Sequence, residues 1–391
     1  MKPSACPAVR RSSAAAFARR AMLAGVGLAA TAARVDAEEI QRAADLRFGR
    51  AVHAVTALAD GRFLVTGGFS VQPEPVPLAE ILDPVEGAFR VIGPMAVPRF
   101  GHTASLLPDG TVLIAGGWDG SGSVLAAAEI FDPATETFRP LPPLHEARAG
   151  HGAIVLADGR ALLIGGAGAG QIFLASAETF DHRTGRFTPV GSMSEARENH
   201  AAVRLADGRV LVSGGHQGRR DARRILASAE LFDPSTNRFT PAGPLRFARH
   251  KHDAVLLRDG RVLITGGASR GDTPSDTSEL YDPDQGAFSS GPRLQRSRFK
   301  HYGTSVPLDD GTVLILGGAS QPERFLPAAN RFELLTSAWL GGAESYAATA
   351  RTGQGDILHT GGYGDDIRGA KTAWLIRPAT SALPFPPLSN P

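Results

Sequence analysis

A pair of glycines follows a short aliphatic segment seven times along this chain of 391 residues. One copy reads FGHTASLLPDGTVLIAGG, from Phe100 to Gly117, and an Asp-Gly turn separates its two strand-like segments. The pairs are separated by 49, 49, 49, 52, 51 and 44 residues, and they begin at Gly67, Gly116, Gly165, Gly214, Gly266, Gly317 and Gly361. A period of this length indicates structural units that stack on one another.

Other residues recur at fixed places in the unit. Six units begin with an arginine, which a histidine follows three residues later. The arginines are Arg50, Arg99, Arg148, Arg197, Arg249 and Arg298, and the histidines are His53, His102, His151, His200, His252 and His301. A later segment of the form AEIFDP contains a glutamate, found at Glu80, Glu129, Glu178, Glu230 and Glu279. The sixth unit lacks this segment, and the seventh has Glu344 and Ala347 at the arginine and histidine positions.

The pattern predicts four short strands in each unit. Asp-Gly suits a tight hairpin because its residues tolerate positive φ angles, and the proline of AEIFDP ends a third strand. Such a unit cannot bury its apolar faces alone, so we predict an all-β fold, a seven-bladed β-propeller in one domain. The expected blades are 50–98, 99–147, 148–196, 197–248, 249–297, 298–343 and 344–391. Whether the lead-in segment 38–49 adds a strand that closes the ring stays open.

This arrangement resembles the kelch repeat, in which an arginine, a strand, an Asp-Gly turn, an aliphatic strand ending in Gly-Gly, and an aromatic residue follow one another. The resemblance covers essentially all of residues 50–391, with phenylalanine where kelch repeats usually have tryptophan. It implies a kelch-type propeller of four-stranded blades, related in fold to the central domain of galactose oxidase. It also implies that arginines near the start of a unit can face ligands at the mouth of the channel.

Residues 1–37 have the composition of a signal peptide. Arg19 and Arg20 precede a short apolar run, and the small residues Val35 and Ala37 stand where cleavage is expected. The arginine pair also resembles a twin-arginine export signal. The apolar run is too short for a membrane span, so we expect a periplasmic or secreted protein.

Cleavage after this segment changes the charge balance. Residues 1–37 contain six of the 41 Lys and Arg residues and one of the 39 acidic residues, so the formal net charge becomes −3 instead of +2. The basic character of the whole chain therefore gives no support for a nucleic-acid partner. Cys6 is the only cysteine and lies in the same segment, so the exported protein would have no disulfide.

We predict a structural role for the repeated residues, represented by Arg99, His102, Gly116, Gly117 and Glu129. The glycine pairs lack the helix N-terminus that completes a phosphate cradle, so close approach of neighbouring blades explains them better. Histidines spread around a seven-fold ring are too far apart for one metal ion, and we expect them to hydrogen-bond between blades. The glutamate of one blade is expected to pair with the arginine of the next, because the sixth unit loses its glutamate and the seventh its arginine.

Binding residues are expected in the loops that follow the glycine pairs, because these loops vary while the turns on the opposite face stay Asp-Gly. The loop HQGRRDARRI has four arginines within six residues and predicts an anionic ligand. The candidate ligand-binding residues are Trp118, Asp119, His216, Arg219, Arg220, Arg223, Arg224, Arg270, Tyr363 and Asp365.

Three functions are compatible with such a fold. We expect a non-catalytic scaffold that binds a protein or glycan ligand, as a monomer and without a cofactor or a metal. The alternative is a sugar-processing enzyme resembling periplasmic sialic acid mutarotase, in which loop arginines hold a sugar carboxylate and acids move protons. A copper-radical oxidase resembling galactose oxidase is disfavoured. Those enzymes need a tyrosine crosslinked to a cysteine, and residues 38–391 contain no cysteine.

Overall fold

The computed structural model describes residues 39–219, 222–335 and 345–377. The signal peptide predicted in residues 1–37, the residues Arg220 and Glu344, and the segment 378–391 lie outside the described residues. The described part is all-β, with single turns of 3-10 helix at Ala169–Gln171, Arg270–Asp272 and Pro327–Ala329. It contains no helix with the length and hydropathy that a membrane span requires.

The strands form seven four-stranded antiparallel sheets, which are the blades of a β-propeller. Blades one to three contain β2 (Ala54–Ala57), β3 (Phe63–Thr66), β6 (Leu78–Asp83) and β7 (Ala88–Pro94); β8 (Thr103–Leu106), β9 (Val112–Ala115), β10 (Ala128–Asp132) and β11 (Thr137–Pro140); and β12 (Gly152–Val155), β13 (Ala161–Ile164), β14 (Ala177–Asp181) and β15 (Arg186–Pro189). Two-stranded hairpins in the loops of blades one and four are β4 (Phe69–Val71) with β5 (Glu74–Pro75) and β18 (His216–Gln217) with β19 (Arg224–Ile225).

The remaining blades follow the same strand order, except that the seventh takes its outermost strand from the start of the described chain. They contain β16 (Ala201–Arg204), β17 (Val210–Ser213), β20 (Ala229–Asp233) and β21 (Arg238–Ala242); β22 (Asp253–Leu256), β23 (Val262–Thr265), β24 (Ser278–Asp282) and β25 (Ala287–Ser290); β26 (Ser305–Pro307), β27 (Val313–Ile315), β28 (Glu323–Leu326) and β29 (Arg331–Leu334); and β30 (Ala348–Arg351), β31 (Ile357–Thr360), β32 (Ala373–Arg377) and β1 (Glu39–Arg42).

The ring closes through blade seven. The innermost strands contact one another in a full circle, from β2 through β8, β12, β16, β22, β26 and β30 back to β2. Strand β1 pairs antiparallel with β32, so that Ile40 lies opposite Ile376 and Gln41 opposite Leu375. The lead-in segment therefore supplies the strand that the sequence left open, and it joins the two ends of the propeller by backbone hydrogen bonds.

The apolar core lies between blades, because the second strand of each sheet is covered by neighbours on both faces. Leu64 and Ile81 of blade one pack with Ile114 and Phe131 of blade two in one buried cluster. Blade six keeps this design despite its divergent sequence, and the rings of Phe325 and Phe332 lie 4.9 Å apart, as in the other aromatic pairs. The sixth unit is thus a complete blade.

The glycine pairs mark the place where adjacent blades approach most closely. Gly116 has a φ of +65°, and a Cβ built on it would lie 2.2 Å from the carbonyl oxygen of Arg148 in the next blade. The N–H of Gly117 donates to that same carbonyl at 2.9 Å. A side chain at Gly116 would therefore push the two blades apart, whereas a Cβ on Gly117 would lie 2.8 Å from the carbonyl oxygen of Phe100 in its own blade.

Each repeated arginine forms a buried ion pair with the glutamate of its own unit. Arg99 Nη2 donates to Glu129 Oε1 at 2.7 Å, and its remaining donors reach the carbonyls of Val97, Gly116 and Ala127. Glu129 in turn accepts the backbone N–H groups of Ala96 and Val97, in the segment that enters the blade. The prediction that the glutamate pairs with the arginine of the next blade is therefore wrong.

The sixth unit also retains the pair, because Glu323 on β28 accepts from Arg298 at 3.1 Å. The glutamate was missed in the sequence since it stands in QPERFLP instead of an AEIFDP segment. The carboxylate bonds the guanidinium and the entering segment at once, which fixes how each blade starts.

The repeated histidines connect neighbouring blades. His102 Nε2 lies 2.9 Å from Thr66 Oγ1 of the preceding blade, and His53 makes the equivalent contact with Thr360 of blade seven. Burial lowers the pKa of His102 to about 3, and the charges of Arg99 and Arg50 add to that effect. His200 is the exception: neither of its ring nitrogens has a hydrogen-bond partner among the described residues.

Candidate binding site at the channel mouth

A ring of backbone hydrogen bonds surrounds the propeller axis. In every blade, the residue before the repeated histidine position has a φ between 53° and 62°, and these residues are Val52, Gly101, Gly150, Asn199, Lys251, Lys300 and Tyr346. The N–H of each donates to the carbonyl of the equivalent residue in the preceding blade, at 2.8 to 3.2 Å. These residues form the backbone ring, and their side chains and those of their neighbours decide what the channel mouth presents.

The innermost strands beyond the backbone ring line a cavity of about 340 Å³. Unit six has two extra residues here, Tyr302 and Gly303, compared with units one to five. The carboxylate of Asp253 accepts the backbone N–H groups of Gly303, Thr304 and Ser305 at 2.7 to 3.0 Å and so holds this insertion. The insertion places Tyr302 against Tyr346, with ring centroids 5.7 Å apart.

Two lysines of the backbone ring stand side by side at the mouth. Lys251 Nζ lies 5.2 Å from the ring centroid of Phe299 and 5.7 Å from that of Tyr346. Lys300 Nζ lies 5.2 and 5.5 Å from the same two rings, and it bonds Tyr363 Oη at 2.9 Å. Within the described ranges, neither ammonium group has a carboxylate within 4 Å, since the nearby acids pair with arginines.

Glu198 is the first of these acids, and it occupies the position between the repeated arginine and Asn199. Its carboxylate is buried and lies 2.7 Å from Arg219 Nη1 and 3.7 Å from His216 Nε2. Burial raises the pKa of Glu198, although Arg219 and Lys251 oppose that shift. The Arg219 guanidinium also stacks over Phe173 at 4.9 Å, which fixes it beside the mouth.

Asp272 is the second acid. It bonds His250 Nε2 at 3.0 Å and forms an ion pair with Arg223. Burial acts against its ionisation, but the charges of Lys251 and Arg223 lower the pKa of Asp272. Burial also lowers the pKa of His216 to about 3 and that of His250 to about 4, so both imidazoles are neutral near pH 7.

Aromatic rings continue around the other side of the mouth. Trp118 stacks on Phe100 with centroids 5.7 Å apart and an interplanar angle of 26°. Phe69 contacts both Phe100 and Tyr363, and Tyr363 contacts Tyr346. The indole lies over a glycine of the backbone ring, because a Cβ built on Gly101 would stand 2.4 Å from it. The mouth therefore has a flat aromatic side and a cationic side.

The structure brings together some of the predicted binding residues and separates others. Trp118, Tyr363, His216, Arg219 and Arg223 all lie at the mouth, as described above. Arg220 lies outside the described residues, and so does the side chain of Arg270, whose backbone is in a 3-10 turn.

The other predicted residues have local roles or lie apart from the mouth cluster. Asp119 bonds the backbone N–H groups of Ser121 and Ser123, so it shapes its own loop. Arg224 is exposed and pairs with Glu195 at 2.8 Å, while Asp365 is exposed in the last loop. Each described arginine of the HQGRRDARRI loop thus faces a carboxylate of the protein, which leaves less unpaired charge than the sequence predicted.

Sequence reasoning missed the residues at the centre of the site. These residues lie between the repeated arginine and histidine positions, and the sequence-based prediction covered only the arginines and histidines themselves. They are Glu198, Lys251, Lys300 and Tyr346. The signal was their variation: the two intervening residues read AV, FG, AG, EN, HK, FK and SY from one unit to the next. Variation at a fixed place in a constant frame points to function as clearly as it does in a loop.

Comparison with known proteins supports the repeat. The Kelch motif model matches residues 99–145 and 199–246. The chain is a kelch-repeat β-propeller. It is 32% identical over 119 residues to Kelch-like protein 34 of Homo sapiens, and 38% identical over 95 residues to galactose oxidase of Gibberella zeae. These matches cover 28% and 22% of this chain but only 18% and 14% of those relatives, so they span a small part of either protein.

Solved structures show the same fold. One is a fungal alcohol oxidase of the AA5 family in complex with copper, with a TM-score of 0.67 at 16% identity, covering 88% of this chain and 77% of the other. In the described part of the chain no group of three or more His, Cys, Asp or Glu side chains is placed to hold an ion. The rings of His216 and His250 pack against each other at 4.9 Å instead.

Proposed function

We propose that this kelch propeller is a binding scaffold whose channel mouth takes a carboxylate-bearing ligand. The observation that carries the proposal is the pair Lys251 and Lys300, two ammonium groups without a carboxylate within 4 Å among the described residues. Arg219 and Arg223 are matched by Glu198 and Asp272, so the lysines give the mouth its net positive charge. An anion entering the mouth gains two charge-assisted contacts in a partly desolvated site.

The kelch fold in general supports a protein-interaction scaffold, so the first expected ligand is an acidic side chain on a partner protein. A carboxylated glycan is the second candidate, and the half-buried rings of Trp118 and Tyr363 at the mouth favour it. Flat aromatic rings bind the apolar face of a sugar while cations hold its carboxylate. Both ligands use the same lysines, so they differ in which neighbouring residues they need.

The test is a binding screen with matched variants. Purified protein is applied to an array of uronic-acid and sialic-acid glycans and to immobilised acidic peptides. Lys251→Met and Lys300→Met keep the length of the side chain and remove its charge, while Lys371→Met does the same at an exposed lysine of blade seven. We expect the first two to lower affinity at least tenfold and the third to leave it unchanged; equal binding by all four proteins would refute the proposal.

A Trp118→Ala variant separates the two ligand classes. Loss of glycan binding with retained peptide binding would assign the aromatic side to a sugar ring. Loss of neither would show that the aromatic side takes no part in binding a sugar ring.

We also propose export, on the composition of residues 1–37 alone. Expression of the full chain in a bacterial host should yield a shortened protein in the periplasmic or culture fraction, and N-terminal sequencing should place its start near residue 38. A full-length protein confined to the cytoplasmic fraction would contradict this.

A further inference from the structure

The ammonium group of Lys251 differs from that of Lys300 in the contacts that it makes with the described residues. Lys300 Nζ bonds Tyr363 Oη, whereas among the described residues no acceptor bonds Lys251 Nζ. Its backbone is held in the backbone ring, with N–H donating to Asn199 at 2.9 Å and the carbonyl accepting from Lys300 at 3.1 Å. The Cα is thus fixed, and the amine stands over Phe299 and Tyr346 at the mouth.

The groups around this amine disfavour its protonated form. Lys300 lies over the same two aromatic rings and carries a like charge, and Arg223 adds a second cation. Glu198 and Asp272 act in the opposite direction, but each is engaged by an arginine. Burial is the largest effect, and it lowers the pKa of Lys251 to about 8. About a tenth of the amine therefore has a free lone pair at pH 7, far more than for an unperturbed lysine.

We propose that Lys251 is a nucleophilic amine that captures a small aldehyde bearing a carboxylate, as an imine. The inference rests on the proposed function, since Lys300 would hold the carboxylate while Lys251 attacks the carbonyl carbon. Both amines lie within 6 Å of the ring centroids of Phe299 and Tyr346, and the charge of Lys300 acts on Lys251, so we expect one compact ligand to reach both of them. An amine that is desolvated and placed next to another cation is the arrangement that activates lysine toward carbonyl groups.

The reaction balances without a further reagent. The nitrogen lone pair of Lys251 forms a bond to the carbonyl carbon, and the proton lost from nitrogen goes to the carbonyl oxygen through solvent, giving a carbinolamine. The hydroxyl group then takes a proton from solvent and leaves as water while the nitrogen lone pair forms the carbon–nitrogen double bond, giving a protonated imine. Loss of the remaining nitrogen proton to solvent gives the neutral imine and restores the proton that was taken up. No oxidation or reduction takes place until a reductant is added.

The experiment uses glyoxylate, which has an aldehyde and a carboxylate on two carbons, with cyanoborohydride to reduce any imine to a stable secondary amine. Peptide mass spectrometry then measures carboxymethylation at Lys251, Lys300 and Lys371 in the full-length protein. We expect Lys251 to be modified at least tenfold faster than the exposed Lys371. Modification of Lys251 should slow as the pH falls from 8 to 6. Equal rates at these two lysines would overturn the proposal.

Variants and a second ligand separate the two proposals. Lys251→Arg should abolish the fast modification, and Lys371→Arg should not affect it. Acetaldehyde, which lacks the carboxylate, should modify Lys251 more slowly than glyoxylate, and Lys300→Met should remove that difference. Calorimetric titration of the wild-type protein with glycolate measures anion binding alone. Glycolate binding without fast modification overturns the imine and leaves the proposed function standing, whereas absence of both overturns both.

Discussion

Replacing Gly116 by alanine tests whether the glycine pairs hold neighbouring blades in contact. The substitution has two costs. At a φ of +65° an L-residue is strained by about 1–2 kcal/mol. The new Cβ would also lie 2.2 Å from the Arg148 carbonyl oxygen and 3.0 Å from His151 Cε1, so blade three must move. Overpacking of this kind adds about 1–3 kcal/mol, for a total loss of about 2–5 kcal/mol in the free energy of unfolding.

Gly185 provides a matched control within the same chain. Its φ is +66°, almost identical to that of Gly116, but no heavy atom lies within 4 Å of a Cβ built on it. Gly185→Ala therefore carries the backbone strain alone and should cost about 1–2 kcal/mol. Urea unfolding followed by tryptophan fluorescence gives both free energies, provided that the free energy of unfolding depends on urea concentration with the same slope in the two variants. If the two variants lose the same stability, the contact between blades does not explain the glycine pair.

Two further predictions concern the repeated polar residues. Glu129→Gln leaves the buried Arg99 without its counter-charge and should lower the free energy of unfolding by about 3 kcal/mol. The control Glu333→Gln, at the exposed pair with Arg331, should change the free energy of unfolding by less than about 1 kcal/mol. Similar midpoints of urea unfolding for the two variants would contradict this. Burial lowers the pKa of His102 to about 3 in the fold, so between pH 6.5 and pH 3 the histidine is protonated in the unfolded chain but not in the folded one. The free energy of unfolding should therefore fall by about 1.4 kcal/mol for each pH unit in this range, and His102 should contribute no pH dependence above pH 6.5. His102→Asn should reduce the slope of stability against pH, and an unchanged slope would count against the argument.

Much of the fold could be predicted because one sequence motif recurs seven times. The period, the Asp-Gly turns and the glycine pairs each require the same local geometry, so the blades follow from any single copy. The pairing of Arg99 with Glu129 could not be read in the same way. Each of these two residues recurs once per unit, so the sequence is equally compatible with pairing inside one unit and with pairing between neighbouring units. Only three-dimensional packing distinguishes the two arrangements.

The site was harder to predict for a different reason. A long irregular loop such as HQGRRDARRI attracts notice by its charge, but its described arginines are neutralised by Glu198, Asp272 and Glu195. Lys251 and Lys300 lie instead in the most regular part of the unit. Their proximity depends on the circle of blades, which brings units five, six and seven together at the axis. The repeat makes the fold easy to predict from the sequence. It does not show which positions within the regular unit bind a ligand.

The backbone ring has an electrostatic consequence. Peptide dipoles in an α-helix point the same way and add, which gives each helix end a partial charge. In this ring they follow one another head to tail around a circle of seven, so their vector sum in the plane is close to zero. The axis of the propeller then carries little fixed potential of its own. A change of side chain can therefore reverse the polarity of the mouth while every peptide group of the circle keeps its partner.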